Sequence, residues 1–119
     1  MTRTIPTRAR LLLGAIAGVV SFTAAGTALA AIDSVAAKKM ARKESCLRCH
    51  DVVRKKEGPS YQAVAYKYKG KAEAQAELVD HITSGHKVKL SDGHEEDHKV
   101  TKTKDPAQIG NLIGWILAQ

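Results

Sequence analysis

Aromatic side chains and cysteines are both scarce in this chain of 119 residues. One phenylalanine, one tryptophan and three tyrosines make up 4% of the sequence, so a core built from side chains alone would be small. A domain of this size commonly needs a disulfide, a metal or a cofactor for stability. The two cysteines, Cys46 and Cys49, exclude a disulfide-rich scaffold, and a bridge between them would close too short a loop to stabilise the chain much. A bulky apolar cofactor would supply what the core lacks.

Acidic residues are absent from the first thirty positions, which differ in character from the rest of the chain. Three arginines precede an apolar run that begins at Leu11 and extends to about Ala25, and residues 27–30 read Thr-Ala-Leu-Ala. This order is typical of a secretory signal peptide, and we expect cleavage after Ala30. An uncleaved membrane anchor is the alternative, because residues 11–31 are just long enough to span a bilayer.

Cleavage would leave one domain of residues 31–119. It would remove three arginines and no acidic residue, so the formal net charge would fall from +7 to +4. We therefore predict a periplasmic protein that is not inserted in the membrane once the signal is removed. Export from the cytoplasm also makes nucleic acid an improbable partner.

The two cysteines belong to the motif Cys46-Leu47-Arg48-Cys49-His50, which is the attachment sequence of c-type haem. Two thiols at this spacing can form thioethers with the two vinyl groups of one haem. The adjoining histidine then binds the iron as the proximal axial ligand. The motif predicts one covalent haem c held by Cys46 and Cys49, with His50 on the iron.

Two other sites use a similar cysteine pair. A thioredoxin-like redox pair belongs to a βαβ pattern, whereas residues 34–45 are rich in Ala, Lys, Arg and Glu and predict a helix. A structural zinc site could take both cysteines and two histidines. Zinc binding would give no reason for a histidine directly after Cys49, so haem attachment is the favoured interpretation.

The predicted fold class is all-α, with about four helices around the haem, because no segment shows sustained strand alternation. Asp33 or Ser34 can cap the first helix and Ser60 the second. A third helix ends at Gly85, and the last begins at Asp105-Pro106, where Gln108 can reach back as in a capping box. The apolar residues of the last helix recur at helical spacing: Ile109, Leu112, Ile113, Ile116 and Leu117.

These features occur in the order found in small bacterial class I monohaem cytochromes c, and the chain resembles that family over the whole predicted domain. A helix leads into CxxCH, a Gly-Pro-x-Tyr segment follows at residues 58–61, and an aromatic residue, Trp115, lies in the last helix. The resemblance implies a one-electron carrier with no catalytic activity of its own. It also implies a redox protein as electron donor and another as acceptor.

The resemblance further assigns roles to individual residues. It implies that the Pro59 carbonyl accepts a hydrogen bond from the Nδ1–H of His50, a contact that orients the ring and makes it a stronger ligand. It also implies that Tyr61 and Trp115 line or flank the haem. Ordinary core packing would account for both aromatic residues equally well.

Methionine is nearly absent from the sequence, although the family usually completes the iron coordination with a methionine ahead of the last helix. Met1 would leave with the signal peptide, and Met40 lies before the haem motif. The segment where the ligand is expected, residues 85–104, contains three histidines instead, and imidazole binds iron well. His81 lies ahead of this segment and is expected to be a surface or edge-packing residue.

Counting residues leaves two candidates for the distal ligand. Measured back from Asp105, His98 lies where the family places its methionine, whereas His94 is nearer when the count starts at Gly85. We predict His98, because the last helix is the firmer anchor, and keep His94 as the alternative. The further options are His86, Lys87, Lys89 and an iron with an open position.

Basic residues crowd both sides of the haem motif. Such a surface can steer an acidic redox partner, although a solvated helix face would have the same composition. The basic residues are Lys38, Lys39, Arg42, Lys43, Arg48, Arg54, Lys55 and Lys56.

The function predicted from the sequence is therefore one-electron transfer by a bis-histidine haem. Its reduction potential should be lower than that of methionine-ligated relatives, because methionine raises the potential of a c-type haem. Two alternatives remain open. One is a ligand-binding or sensing protein whose distal ligand is absent or displaceable, and the other is the electron-transfer subunit of a larger oxidoreductase.

Overall fold

The computed structural model describes residues 30–119, so the predicted signal peptide lies outside the described residues except for Ala30. This part of the chain folds into four α-helices and one small hairpin, and the predicted all-α class is confirmed. No helix within it is both long and apolar enough to cross a membrane. The elements are α1 (Ser34–Lys43), α2 (Tyr61–Tyr68), α3 (Ala74–Ser84), β1 (Lys87–Lys89), β2 (Glu95–Asp97) and α4 (Pro106–Leu117), with a 3₁₀ turn at Cys46–Arg48.

The helices begin where the capping residues predict. The side chains of Asp33, Ser60 and Asp105 accept backbone N–H bonds from the first turns of α1, α2 and α4, and Pro106 occupies the first position of α4. The capping box at α4 differs from the prediction, because Gln108 Nε2 donates to the Asp105 carboxylate at 2.8 Å. Both side chains therefore stabilise the start of the helix without the expected contact to the Asp105 backbone.

Helix α4 lies at the centre of the fold and contacts the other three helices. Where α1 meets α4, Ala37 and Ala41 are fully buried, and their small side chains let the two helices approach closely. Asn111 joins the same two helices, because its side chain accepts from Asp33 N at 2.8 Å and donates to Asp33 O at 2.9 Å. The buried residues of α4 are Ile109, Leu112, Ile113, Trp115 and Ile116.

The hairpin between α3 and α4 was not predicted. β1 pairs antiparallel with β2, so that Lys87 lies opposite Asp97, and Gly93 adopts the φ of +92° that the turn requires. Strands of three residues are too short to show strand periodicity in a sequence, although Val88 of β1 is partly buried between two exposed lysines. At the turn, Ser91 N donates to the Glu57 carboxylate at 3.2 Å, which links the hairpin to the loop after the haem motif.

Candidate functional site

A cavity of about 450 Å³ opens between the helices, the CxxCH motif and the hairpin. Ligand pockets in proteins commonly have volumes in this range. Its apolar wall comes from the inner faces of α2, α3 and α4, which the helical spacing of their apolar residues turns toward the centre. The apolar wall residues on these three helices are Val64, Leu78, Ile82, Leu112, Ile113 and Ile116, and the hairpin adds Val88 and Leu90.

Both cysteines of the motif line this cavity. The 3₁₀ turn accounts for this, since side chains three positions apart in such a turn lie on the same side. Cys46 is partly buried and Cys49 is exposed, so one thiol faces the interior and the other lies at the mouth. Burial raises the pKa of the Cys46 thiol, and the negative charge of Glu44 raises it further.

The ring of His50 is held from three directions. Its Nδ1–H donates to the Pro59 carbonyl at 2.7 Å, the contact that the resemblance implies. The ring also stacks on Tyr61, with centroids 5.4 Å apart and an angle of 15° between the planes. Gly58 lies so close that an added Cβ would be 2.8 Å from Nδ1. A proton on Nδ1 leaves the lone pair of the neutral imidazole on Nε2, where it is available to a metal.

The two predicted pocket aromatics take different positions. Tyr61 is buried and lines the cavity, and burial, with Cys46 beside it, raises the pKa of its hydroxyl. Trp115 lies behind it, edge-on at 5.4 Å between ring centroids, and is not among the lining residues. Trp115 therefore supports the cavity wall through Tyr61, whereas the sequence left open whether it would line the cavity.

His98 lies in the cavity wall opposite the motif histidine. Its ring centroid is 6.1 Å from that of His50. Its Nδ1 atom is buried and has no hydrogen-bond partner among the described residues, which is costly for a polar atom unless a ligand completes it. Burial, with His81 and His50 nearby, lowers the pKa of His98 to about 4. The ring is therefore neutral at physiological pH and can donate a lone pair.

The other two histidines of the segment lie outside the cavity. The side chain of His94 is 56% exposed, and its Nδ1 is 2.5 Å from the Asp92 carboxylate. His86 is similarly exposed, and its Nε2 is 2.5 Å from the Asp80 carboxylate. Both rings therefore lie at the surface, and each has a nitrogen in contact with a carboxylate.

The prediction of surface or edge packing for His81 is incomplete, because the partly buried residue also faces the cavity. His81 lines the cavity, and its ring centroid is 4.3 Å from that of His98. Burial lowers its pKa, and the nearby His86 and His50 contribute. The position follows from helical spacing, since His81 comes three residues after the buried Leu78 and therefore lies on the same face of α3. The three-residue spacing from Leu78 can be read from the sequence, but the polar residues next to His81 suggested an exposed position.

The chemistry of the cavity fits an iron porphyrin. Apolar walls suit a flat macrocycle, two thiols at one edge can bond to its vinyl groups, and two imidazoles can bind a central metal. The alternative zinc site is not assembled, because no three histidine, cysteine or acidic side chains in residues 30–119 converge to hold a metal ion. The site therefore favours a metal that is already bound by a cofactor such as a porphyrin, with the protein adding only the remaining ligands.

The comparisons with known proteins agree with this chemistry. The family model for cytochrome c matches residues 34–119. Cytochrome c2 of Rubrivivax gelatinosus is 43% identical over 66% of this chain and 92% of its own length. Cytochrome c-552 of Hydrogenobacter thermophilus is 33% identical over 68% of this chain and 79% of its own length.

A solved structure is similar over most of the described residues. The class 1 cytochrome MtoD from Sideroxydans lithotrophicus ES-1 superposes with a TM-score of 0.72 at 52% identity, covering 74% of this chain and 97% of that one. Family, relatives and fold thus coincide on the same set of residues. The chain belongs to the cytochrome c family and carries one covalently attached haem c.

Proposed function

We propose that residues 31–119 form a periplasmic one-electron carrier whose haem is attached through Cys46 and Cys49 and bound at the iron by His50 and His98. The observation that supports this most directly is the 6.1 Å between the two ring centroids. A metal–imidazole nitrogen bond is about 2 Å long and each centroid lies about 1 Å further, so two rings on one ion have centroids about 6 Å apart.

The surroundings of His98 support its role as distal ligand. Its buried Nδ1, which has no hydrogen-bond partner within residues 30–119, and its lowered pKa both favour a neutral ring available for coordination. Met40, by contrast, is buried in α1 and is not among the cavity-lining residues. A histidine in place of the usual methionine would lower the reduction potential relative to methionine-ligated relatives.

The chain's own residues hold and shield the cofactor. When bound, haem supplies the iron that gains and loses one electron. Pro59 fixes the orientation of His50 through its carbonyl, and the apolar faces of α2, α3 and α4 exclude water from the cavity interior. The exposed Cys49 places the attached edge of the cofactor at the surface, where a partner can approach.

Spectroscopy of the haem-loaded protein tests the proposed ligation. We expect a low-spin six-coordinate signal for the wild type in optical and EPR spectra, with slow binding of carbon monoxide to the reduced protein. His98→Ala should lose most of the low-spin signal and bind carbon monoxide readily, because the variant removes the imidazole proposed for the distal position. The matched control, His94→Ala, should resemble the wild type, since His94 lies at the surface.

Two further results would decide against the proposal. Loss of the low-spin signal in His94→Ala alone would move the ligand to His94. A high-spin wild type that binds carbon monoxide rapidly would favour the ligand-sensing alternative. Because His81 is 4.3 Å from His98, the double variant His81→Ala/His98→Ala is needed to show whether His81 replaces the missing ligand.

We also propose that an acidic redox partner docks at the basic surface beside the haem motif. All eight basic residues of this surface, named above from the sequence, are exposed. Acidic neighbours offset only part of this charge, because Asp51 pairs with Arg54 alone, at 3.4 Å, and Glu44 is buried. Long-range attraction by such a surface accelerates association at low salt.

The rate of oxidation by ferricyanide, a small anionic probe, tests the steering by this surface. The double variant Arg48→Glu/Lys55→Glu should react several-fold more slowly than the wild type at low ionic strength, with a weaker dependence on salt. The control Lys69→Glu/Lys71→Glu changes the net charge equally on exposed residues near the end of α2. Equal slowing in both doubles would show that net charge, and not this surface, controls the rate.

A further inference from the structure

Glu44 is a buried charged residue that the haem ligation does not use. It follows the last residue of α1 and is 5% exposed. Its side chain also belongs to the cavity wall, next to Ser45 and Cys46. Burial of a carboxylate is costly unless hydrogen bonds or charges compensate it, so the surroundings of Glu44 must stabilise its side chain.

The carboxylate of Glu44 holds the segment that follows His98. Its Oε2 accepts a hydrogen bond from Lys102 N at 2.7 Å. The preceding residue, Thr101, is buried, and its N–H donates to Ile82 O at 3.0 Å. These two bonds join the segment to the end of α1 and to α3. Glu44 therefore helps to fix the position of the segment that follows His98.

The charge of Glu44 also acts on the cavity. Glu44 lines the same cavity as Cys46, which is two residues further along the chain, and its negative charge adds to burial in raising the pKa of the Cys46 thiol. A buried charge is screened by salt and water much less than a surface charge. Oxidation of the haem adds one positive charge to the cavity, and a nearby unscreened carboxylate stabilises that charge.

We propose that Glu44 is a positioning residue that also sets the reduction potential: its buried carboxylate holds the segment after His98 and stabilises the oxidised haem. This inference rests on the proposed placement of the haem in the cavity. It assigns to Glu44 a role distinct from that of the two axial ligands, because the electrostatic effect requires a charge and not only a hydrogen-bond acceptor.

Redox titration of the haem-loaded Glu44→Gln variant tests this role. Glutamine has nearly the same shape and its amide oxygen can still accept the N–H of Lys102, so the low-spin spectrum should be retained. We expect at least a tenfold shift of the one-electron equilibrium toward the reduced form, which corresponds to a rise of about 59 mV in the midpoint potential. The control Glu73→Gln removes the same charge from an exposed residue outside the cavity wall and should shift the potential far less.

A second neutral variant keeps the test decisive if Glu44→Gln does not accumulate. Glu44→Ser is smaller and also uncharged, and should raise the potential at least as much, whereas Glu44→Asp keeps the charge and should remain near the wild type. Equal midpoint potentials for the neutral Glu44 variants and Glu73→Gln would overturn the inference. EPR spectra of the same samples report the iron ligation separately, so a failure of the proposed His98 ligation would be recognised independently of the Glu44 comparison.

Discussion

Replacement of both Cys46 and Cys49 by alanine should yield a protein that neither retains haem after denaturation nor folds stably. The cavity occupies about 450 Å³ within a small domain. Without the cofactor, the apolar side chains that line the cavity would lose their packing partner, and cavities in a core are destabilising. The whole free energy of unfolding of a typical domain is only about 5–15 kcal/mol. We therefore expect the chain to collapse or unfold instead of persisting as an empty shell.

Haem staining after denaturing electrophoresis and thermal unfolding followed by circular dichroism would measure this effect. The single variants Cys46→Ala and Cys49→Ala are the matched controls, because each retains one thiol for a thioether. Their stained bands should persist and their melting temperatures should lie between those of the wild type and the double variant. A double variant that melts like the wild type would show that the side-chain core suffices, against the expectation from its few aromatic residues.

Gly58→Ala should disturb the proximal side of the iron more than any other single-methyl change in the cavity. An added Cβ would lie 2.8 Å from Nδ1 and 2.9 Å from Nε2 of His50, which is closer than real side chains approach. The ring cannot move away freely, since it is stacked on Tyr61 and bonded to Pro59 O. Overpacking of this kind costs about 1–3 kcal/mol. Loss of the bond that orients a metal-bound histidine typically weakens metal binding about 10- to 100-fold.

The fraction of low-spin haem and the melting temperature should both fall in Gly58→Ala. Gly110→Ala is the matched control, because its nearest neighbour would be Gln75 Nε2 at an ordinary 3.7 Å and it lies inside α4. Alanine in a helix interior is favoured over glycine by about 1 kcal/mol, so this control should equal or exceed the wild type in stability. If Gly58→Ala behaves like Gly110→Ala, the close approach of the backbone to His50 is not required.

Features that depend on neighbouring residues could be predicted from the sequence. Asp33, Ser60 and Asp105 cap helices because a cap needs only its own side chain and the next three residues. The stripe of buried residues on α4 follows from helical spacing alone. The CxxCH motif likewise concentrates its chemistry in five consecutive positions. In all these cases the feature is determined by residues that lie close together in the sequence.

Features that depend on distant parts of the chain could not be predicted in this way. Counting residues could not decide between His94 and His98, because the hairpin takes up chain length that a simple loop would not. Its register depends on pairing between strands and on the bond from Ser91 to Glu57. The burial of Glu44 could not be predicted either, since its carboxylate is bonded to Lys102 N, 58 residues further along the chain.

The bond between Glu57 and Ser91 has a consequence for the speed of electron exchange. It connects the loop that follows His50 to the hairpin that precedes His98, so these two halves of the cavity wall are joined directly. If the iron is held between these halves, its surroundings have little freedom to relax when its charge changes. A small relaxation means a low reorganisation energy, and the protein would then exchange electrons rapidly at a small driving force.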